Sequence, residues 1–152
     1  MKVHELLTQQ SGSILAEARE LVRRSNLEHY EAAGDEAVRR RLQALFELTA
    51  RCVADRNLAP MLEHADQVAK ERFNAGFDLS EVQTAFNVLE EVIWKRIIPA
   101  VPPGELAESL GLVGTVLGAG KDRLAGAYVA LATRTRTPSL DLNKLFEGRT
   151  EG

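Results

Sequence analysis

Between Val68 and Ile98 the residues leave the backbone little choice. Apolar side chains recur at helical spacing up to Phe73, Gly76 interrupts them, and a second apolar-periodic run follows. A glycine just past a last turn adopts the left-handed conformation cheaply and ends the helix. Asp78 followed by Glu81 has the spacing of a capping box, with Asp in the cap role. Phe77 precedes that cap and Val82 lies four residues into the next helix, the arrangement of a hydrophobic staple. These signals predict a helical hairpin. Its second helix turns Val82, Ala85, Phe86, Leu89, Val92, Ile93 and Ile97 inward, leaving Trp94 and Ile98 off the inner face.

The same period runs through nearly all of the chain. No alternating strand pattern and no Asn-Gly or Asp-Gly hairpin signal interrupts it. The expected fold class is therefore all-α, a bundle of five main helices. The first is expected from Lys2 to Ser25, with Leu15 and Val22 widening its apolar arc and Gly12 as the candidate bend. The second spans Asp35 to Asp55 and the third Leu58 to Ala75. Pro99 and the Pro102-Pro103-Gly104 cluster end the fourth. The fifth runs from Glu105 to Thr133 and carries two stripes. One is bulky, through Leu106, Leu110, Val113, Leu117, Gly120 and Leu124; the other is small, through Ala107, Gly111, Gly114, Gly118 and Ala125. Each helical glycine costs about 1 kcal/mol relative to alanine, so a row of them implies close approach of another backbone. Two readings stand side by side. One is tight packing within the chain. The other is a homodimer seam drawing on Leu15, Val22, Trp94, Gly111, Gly114 and Gly118. Beyond Thr133 the composition turns polar, which divides a helical domain (1–133) from a tail (134–152). In that tail Leu140, Leu142, Leu145 and Phe146 suggest a short docking segment.

Charge and composition exclude several functions. A formal net charge of -3 gives no electrostatic ground for binding nucleic acid or an anionic membrane. The runs Arg23-Arg24 and Arg39-Arg40-Arg41 read as solvated helix faces. Cys52, the single cysteine, forms no internal disulfide or multi-cysteine zinc site and reads as a small core residue. No apolar stretch is long enough to span a bilayer, and the N-terminus lacks the apolar run of a signal peptide. The expected compartment is the cytoplasm.

No catalytic pattern stands out. His4, His29 and His64 do not form the His-x-x-x-His spacing that aligns two ligands on one helix. Ser11, Ser13 and Ser80 have no glycine elbow. Gly118, Gly120 and Lys121 miss the spacing of a phosphate loop. Neither catalysis nor a cofactor or metal is expected. An all-helical chain of this length also admits haem, which needs an axial ligand facing an apolar pocket. His64 falls at the border of the third helix's inner face, and an aromatic content of 5% is thin for such a pocket. Arg72 lies on the side expected to be buried, among Ala65, Val68, Ala69 and Phe73. A buried guanidinium requires a partner, for which Glu81 and Glu90 are the candidates; alternatively its stem lies along the core and its head reaches water.

The segment Glu71-Arg72-Phe73-Asn74-Ala75-Gly76-Phe77-Asp78-Leu79-Ser80-Glu81-Val82, continuing through Phe86, Leu89 and Ile93, resembles the N-terminal domain of RsbR/RsbRD-type co-antagonist proteins of the bacterial stressosome. Similar domains precede some histidine kinases. The positions carried over are Arg72, Gly76, Phe77 and Glu81, as structural signature residues. The resemblance implies a globin-like helical fold without haem that dimerises through its first and last helices. It implies a non-catalytic role in receiving or relaying stress signals to a signalling partner. Members of that family commonly carry a C-terminal STAS domain, of which these residues hold no counterpart, so the expectation is a stand-alone sensor, a partner of other sensory domains, or a remnant whose output lies in another protein. The alternative is a globin-like carrier of haem or another hydrophobic ligand.

Overall fold

The computed structural model describes residues 2–136, with side chains through Arg134. Among the described residues there are seven helices and no strand: α1 (Val3–Gln9), α2 (Ser11–Arg24), α3 (Glu28–Ala33), α4 (Asp35–Asp55), α5 (Ala59–Asn74), α6 (Leu79–Ala100) and α7 (Pro103–Arg136). The all-α bundle is the class read from the sequence. α4 and α5 match their expected spans closely, and Cys52 is a core residue, 1% exposed.

Four differences have physical causes. The expected first helix is two helices, joined at Gln10, whose backbone leaves the helical region at φ -104°, ψ 13°. Gly12, the expected bend, is itself helical. Along α2 the buried stripe advances in steps of four through Ile14, Ala18 and Val22. Val22, one of the residues expected at a dimer seam, is 2% exposed and packs in the chain's own core. The six-residue α3 was not expected, because a helix that short spans too little of the 3.6-residue period to show it. α6 runs through Pro99 to Ala100: a proline in a last turn removes one late hydrogen bond, and Val101 N–H still closes onto the Ile97 carbonyl at 2.9 Å. Pro103 then opens α7, since proline at a first helical position gives up only a donor that has no partner there. α7 continues past Thr133 to Arg136. The remainder of the expected tail, with its Leu140-to-Phe146 segment, lies outside the described residues.

The long α7 is the spine. Its buried Val113, Val116, Leu117, Leu124 and Tyr128 pack chiefly against α5 and α6, while α2 lies across α6. Arg96 ties the latter pair, donating to Ser13 Oγ at 2.6 Å and to Glu17 Oε2 at 3.3 Å. Among the described glycines, Gly120 has the tightest surroundings. A Cβ there would lie 2.8 Å from Met61 Sδ and 2.9 Å from Phe86 Cε2. The small-residue stripe is different. A Cβ on Gly111 or Gly118 would meet open space, and on Gly114 it would touch only Trp94, at 3.8 Å. Packing within the chain therefore requires the glycine in the bulky stripe and not those in the small one. Replacing Gly120 by Ala is expected to destabilise the fold by about 1–3 kcal/mol through overpacking. Gly118→Ala is expected to be neutral or to stabilise by up to about 1 kcal/mol. Urea unfolding of the two variants checks both.

Candidate functional site

The turn between α5 and α6 is built twice over. Gly76 has φ +86° and sits just past the cap of α5. Its N–H reaches the Phe73 carbonyl at 3.1 Å, and the next N–H, from Phe77, reaches the Arg72 carbonyl at 2.9 Å. That pair of bonds is a Schellman motif. On the other side, Asp78 and Glu81 form the capping box of α6, with Asp78 N–H donating to Glu81 Oε1 at 3.2 Å. Phe77 and Val82, 7% and 2% exposed, supply the staple. The Phe77 carbonyl accepts the Tyr128 hydroxyl at 3.0 Å, which anchors the turn to α7. Burial pushes the Tyr128 pKa up to about 12, so its hydroxyl keeps the proton that makes this bond.

Glu81 serves a second helix as well. Its Oε2 accepts the backbone N–H of His29, in the first turn of α3, at 3.1 Å, and its Oε1 lies 2.6 Å from His29 Nδ1. Burial pushes the Glu81 carboxyl up, but the bonds from Asp78 and His29 outweigh it and hold the group below the usual carboxylate range.

The Phe77 ring is surrounded by aromatic and cationic groups. His29 and Tyr30 stack at 5.0 and 5.5 Å between centroids, Tyr30 edge-on. Arg41 and Arg72 place their guanidinium carbons 5.4 and 5.8 Å from the ring centre, within cation–π range. Arg72, whose side chain is 12% exposed, pairs with neither Glu81 nor Glu90 but with Glu71, at 3.2 Å. Glu81 is already engaged by Asp78 and His29, and Glu90 lies beside Trp94 and Ile98 on another face of α6. Arg41 departs further from expectation. It is not a solvated residue: its Nη1 is buried with no hydrogen-bond partner, alone in this among the described side chains.

These arginines border a cavity of about 370 Å³ between α4, α5 and α6, with Tyr30 of α3 also in its lining. Its inner wall is apolar, through the buried Leu45, Val68, Val82 and Phe86. Exposed Arg40, Gln67 and Glu71 form the rim, and half-buried His64 lies on the wall. Burial lowers the pKa of His64, and the Arg72 charge lowers it further. The Arg41 pKa also falls, from burial first and then from Arg72. The cavity is thus electropositive and incompletely compensated.

Of the sequence-derived positions, Arg72, Gly76, Phe77 and Glu81 converge on this turn. The proposed interface residues do not line the cavity. Leu15 is half-buried against the core, Trp94 is 37% exposed beside Gly114, and Gly111 and Gly118 face open space. Arg41 escaped the sequence reading. Its signal was its position three residues after Val38 and four before Leu45, on the inward stripe of α4.

A helical hairpin capped at both helix ends, beside a half-open electropositive recess, defines an all-α domain with a preformed cavity. The chain belongs to the family described as the RsbT co-antagonist protein rsbRD N-terminal domain, whose model matches residues 12–138. It is a stressosome-related signalling domain of that family. No curated protein matched the chain, and no solved structure did.

Two measurements follow from the turn. Gly76→Ala is expected to cost about 1–2 kcal/mol, the strain of a left-handed residue bearing a Cβ. Glu81→Gln is expected to cost about 1.5–3 kcal/mol at neutral pH, in the range for hydrogen bonds to a charged group. Because the folded-state pKa of Glu81 is depressed, its stabilisation is complete above the unfolded value of about 4.3 and disappears as pH falls through the lower folded value. The stability gap between wild type and Glu81→Gln in denaturant titrations should therefore close on acidification.

Proposed function

We propose that this chain is a non-catalytic sensory domain of the cytoplasm that acts as a homodimer and passes a stress signal to a signalling protein. The observation that carries this reading is the family match over residues 12–138. We read the bundle as globin-like and without haem, as that family resemblance implies. Among the described residues no helix is long and apolar enough to cross a membrane, which accords with a cytoplasmic setting.

An open flank supports dimerisation. Gly111 and Gly118 meet nothing within the chain, although each costs helix stability. Beside them lie Trp94 and, further along α6, Ile98, which is 55% exposed. A second helix approaching that flank would cover the indole and use the missing side chains for close backbone contact. Signal would then pass as a change in packing between the subunits and along the 34 residues of α7. Half-buried His64 on the cavity wall favours a second reading, carriage of haem or another hydrophobic ligand. A strong visible absorbance band in protein purified from its own host would select it.

Light scattering tests the dimer. A mass of twice 16.7 kDa is expected, and Gly114→Leu with Gly118→Leu should halve it while helical circular dichroism stays unchanged. A wild-type monomer throughout the micromolar range would overturn the relay. Deleting the gene in its host should alter stress-induced transcription; an unaltered response would overturn the sensory role.

A further inference from the structure

We propose that the cavity between α4, α5 and α6 is a binding site for a small organic carboxylate with an apolar body. The inference rests on the sensory reading only in taking occupancy of this cavity as the signal.

Three observations point to this chemistry. The first is the orphaned Arg41 Nη1: a buried guanidinium N–H without an acceptor is costly, and a carboxylate is its natural complement. The second is the pair of cations. Arg41 and Arg72 border the same cavity and flank the same aromatic ring, and the one carboxylate paired with them, Glu71, has a side chain 68% exposed. Water screens so exposed a pair, so Glu71 offsets the two cations only weakly. Glu81, the nearest buried carboxylate, is already committed to two helix starts. The third is the wall. Leu45, Val68, Val82 and Phe86 give one side of the cavity an apolar surface, which complements a hydrocarbon body and not the hydrated oxygens of a compact polyanion. At about 370 Å³ the cavity falls within the range of small-molecule sites.

A carboxylate entering past Arg40 and Gln67 would accept from Arg41 Nη1 and from the Arg72 guanidinium, and set its hydrocarbon against Phe86. Its charge would offset the repulsion between the arginines. Arg72 also lends its backbone carbonyl to the Schellman turn, so the ligand would touch the residue that positions the hairpin.

Calorimetric titration and thermal shift of the full chain test this. The probes are straight-chain monocarboxylates from acetate to octanoate, benzoate and phenylacetate, with hexanol and inorganic phosphate as contrasts. At least one carboxylate of intermediate length should bind saturably at millimolar concentration or tighter. Hexanol and phosphate should bind at least roughly tenfold more weakly, for want of charge and of an apolar body respectively. Arg41→Met should weaken carboxylate binding by roughly tenfold or more while leaving the ligand-free melting temperature unchanged or higher, because the orphaned donor is gone. The His64 ring resonance, one of three histidine signals, should shift on binding. No saturable binding by any carboxylate, or equal binding by Arg41→Met, would overturn the proposal. So would phosphate binding as tightly as the best carboxylate, which would assign the site to a free inorganic anion. A dimer that binds no carboxylate sinks this site and spares the relay; a strict monomer that binds one does the reverse.

Discussion

Phe77 belongs to two helices at once, and the reversal of the chain depends on it. Its N–H closes the end of α5 on the Arg72 carbonyl, and its carbonyl is held by the Tyr128 hydroxyl. Its ring staples the start of α6 through Val82. Helix termini leave several backbone donors and acceptors without partners; here one short junction satisfies both ends and directs the aromatic ring into the space where α3, α4 and α5 converge. Tyr30 and the half-buried heads of Arg41 and Arg72 are gathered around that ring.

Burying those arginines runs against the usual partition of charge. A stem folded along apolar surface with its head in water is the ordinary solution for a long cation, and Arg72 adopts only part of it. Its head lies over a ring and beside an exposed carboxylate. Arg41 has the ring and no acceptor at all for Nη1. The quadrupole of Phe77 supplies partial compensation for both. Stability alone would favour a methionine at either position, since apolar replacement of incompletely paired buried charge is often neutral or favourable.

Much of the hairpin was legible in the sequence because its signals are local. The glycine stop, the Asp78–Glu81 spacing and the Phe77–Val82 pair each act across four or five residues, and each takes its expected geometry. Long-range information was not legible. That Glu81 would hold His29, 52 residues away, has no sequence signature, nor does the partnership of Arg72 with its neighbour Glu71. Arg41 was obscured by its company: within a run of three arginines, only the phase of α4 distinguishes the one whose Nη1 is buried and whose head lies over Phe77. Which α7 glycine the chain's own packing needs was not legible for a related reason. Composition marks a stripe, but whether a neighbour presses on it depends on crossing geometry, and the neighbour presses at Gly120.

The carboxylate of Glu81 is shared between the first turns of α3 and α6. Two helix origins that draw on one acceptor are not independent: fraying of either withdraws part of the other's cap. The short α3, with a single buried residue of its own, therefore inherits the kinetic persistence of a helix more than three times its length. Local opening on this side of the molecule becomes a joint event, in which α3 and the hairpin loosen together.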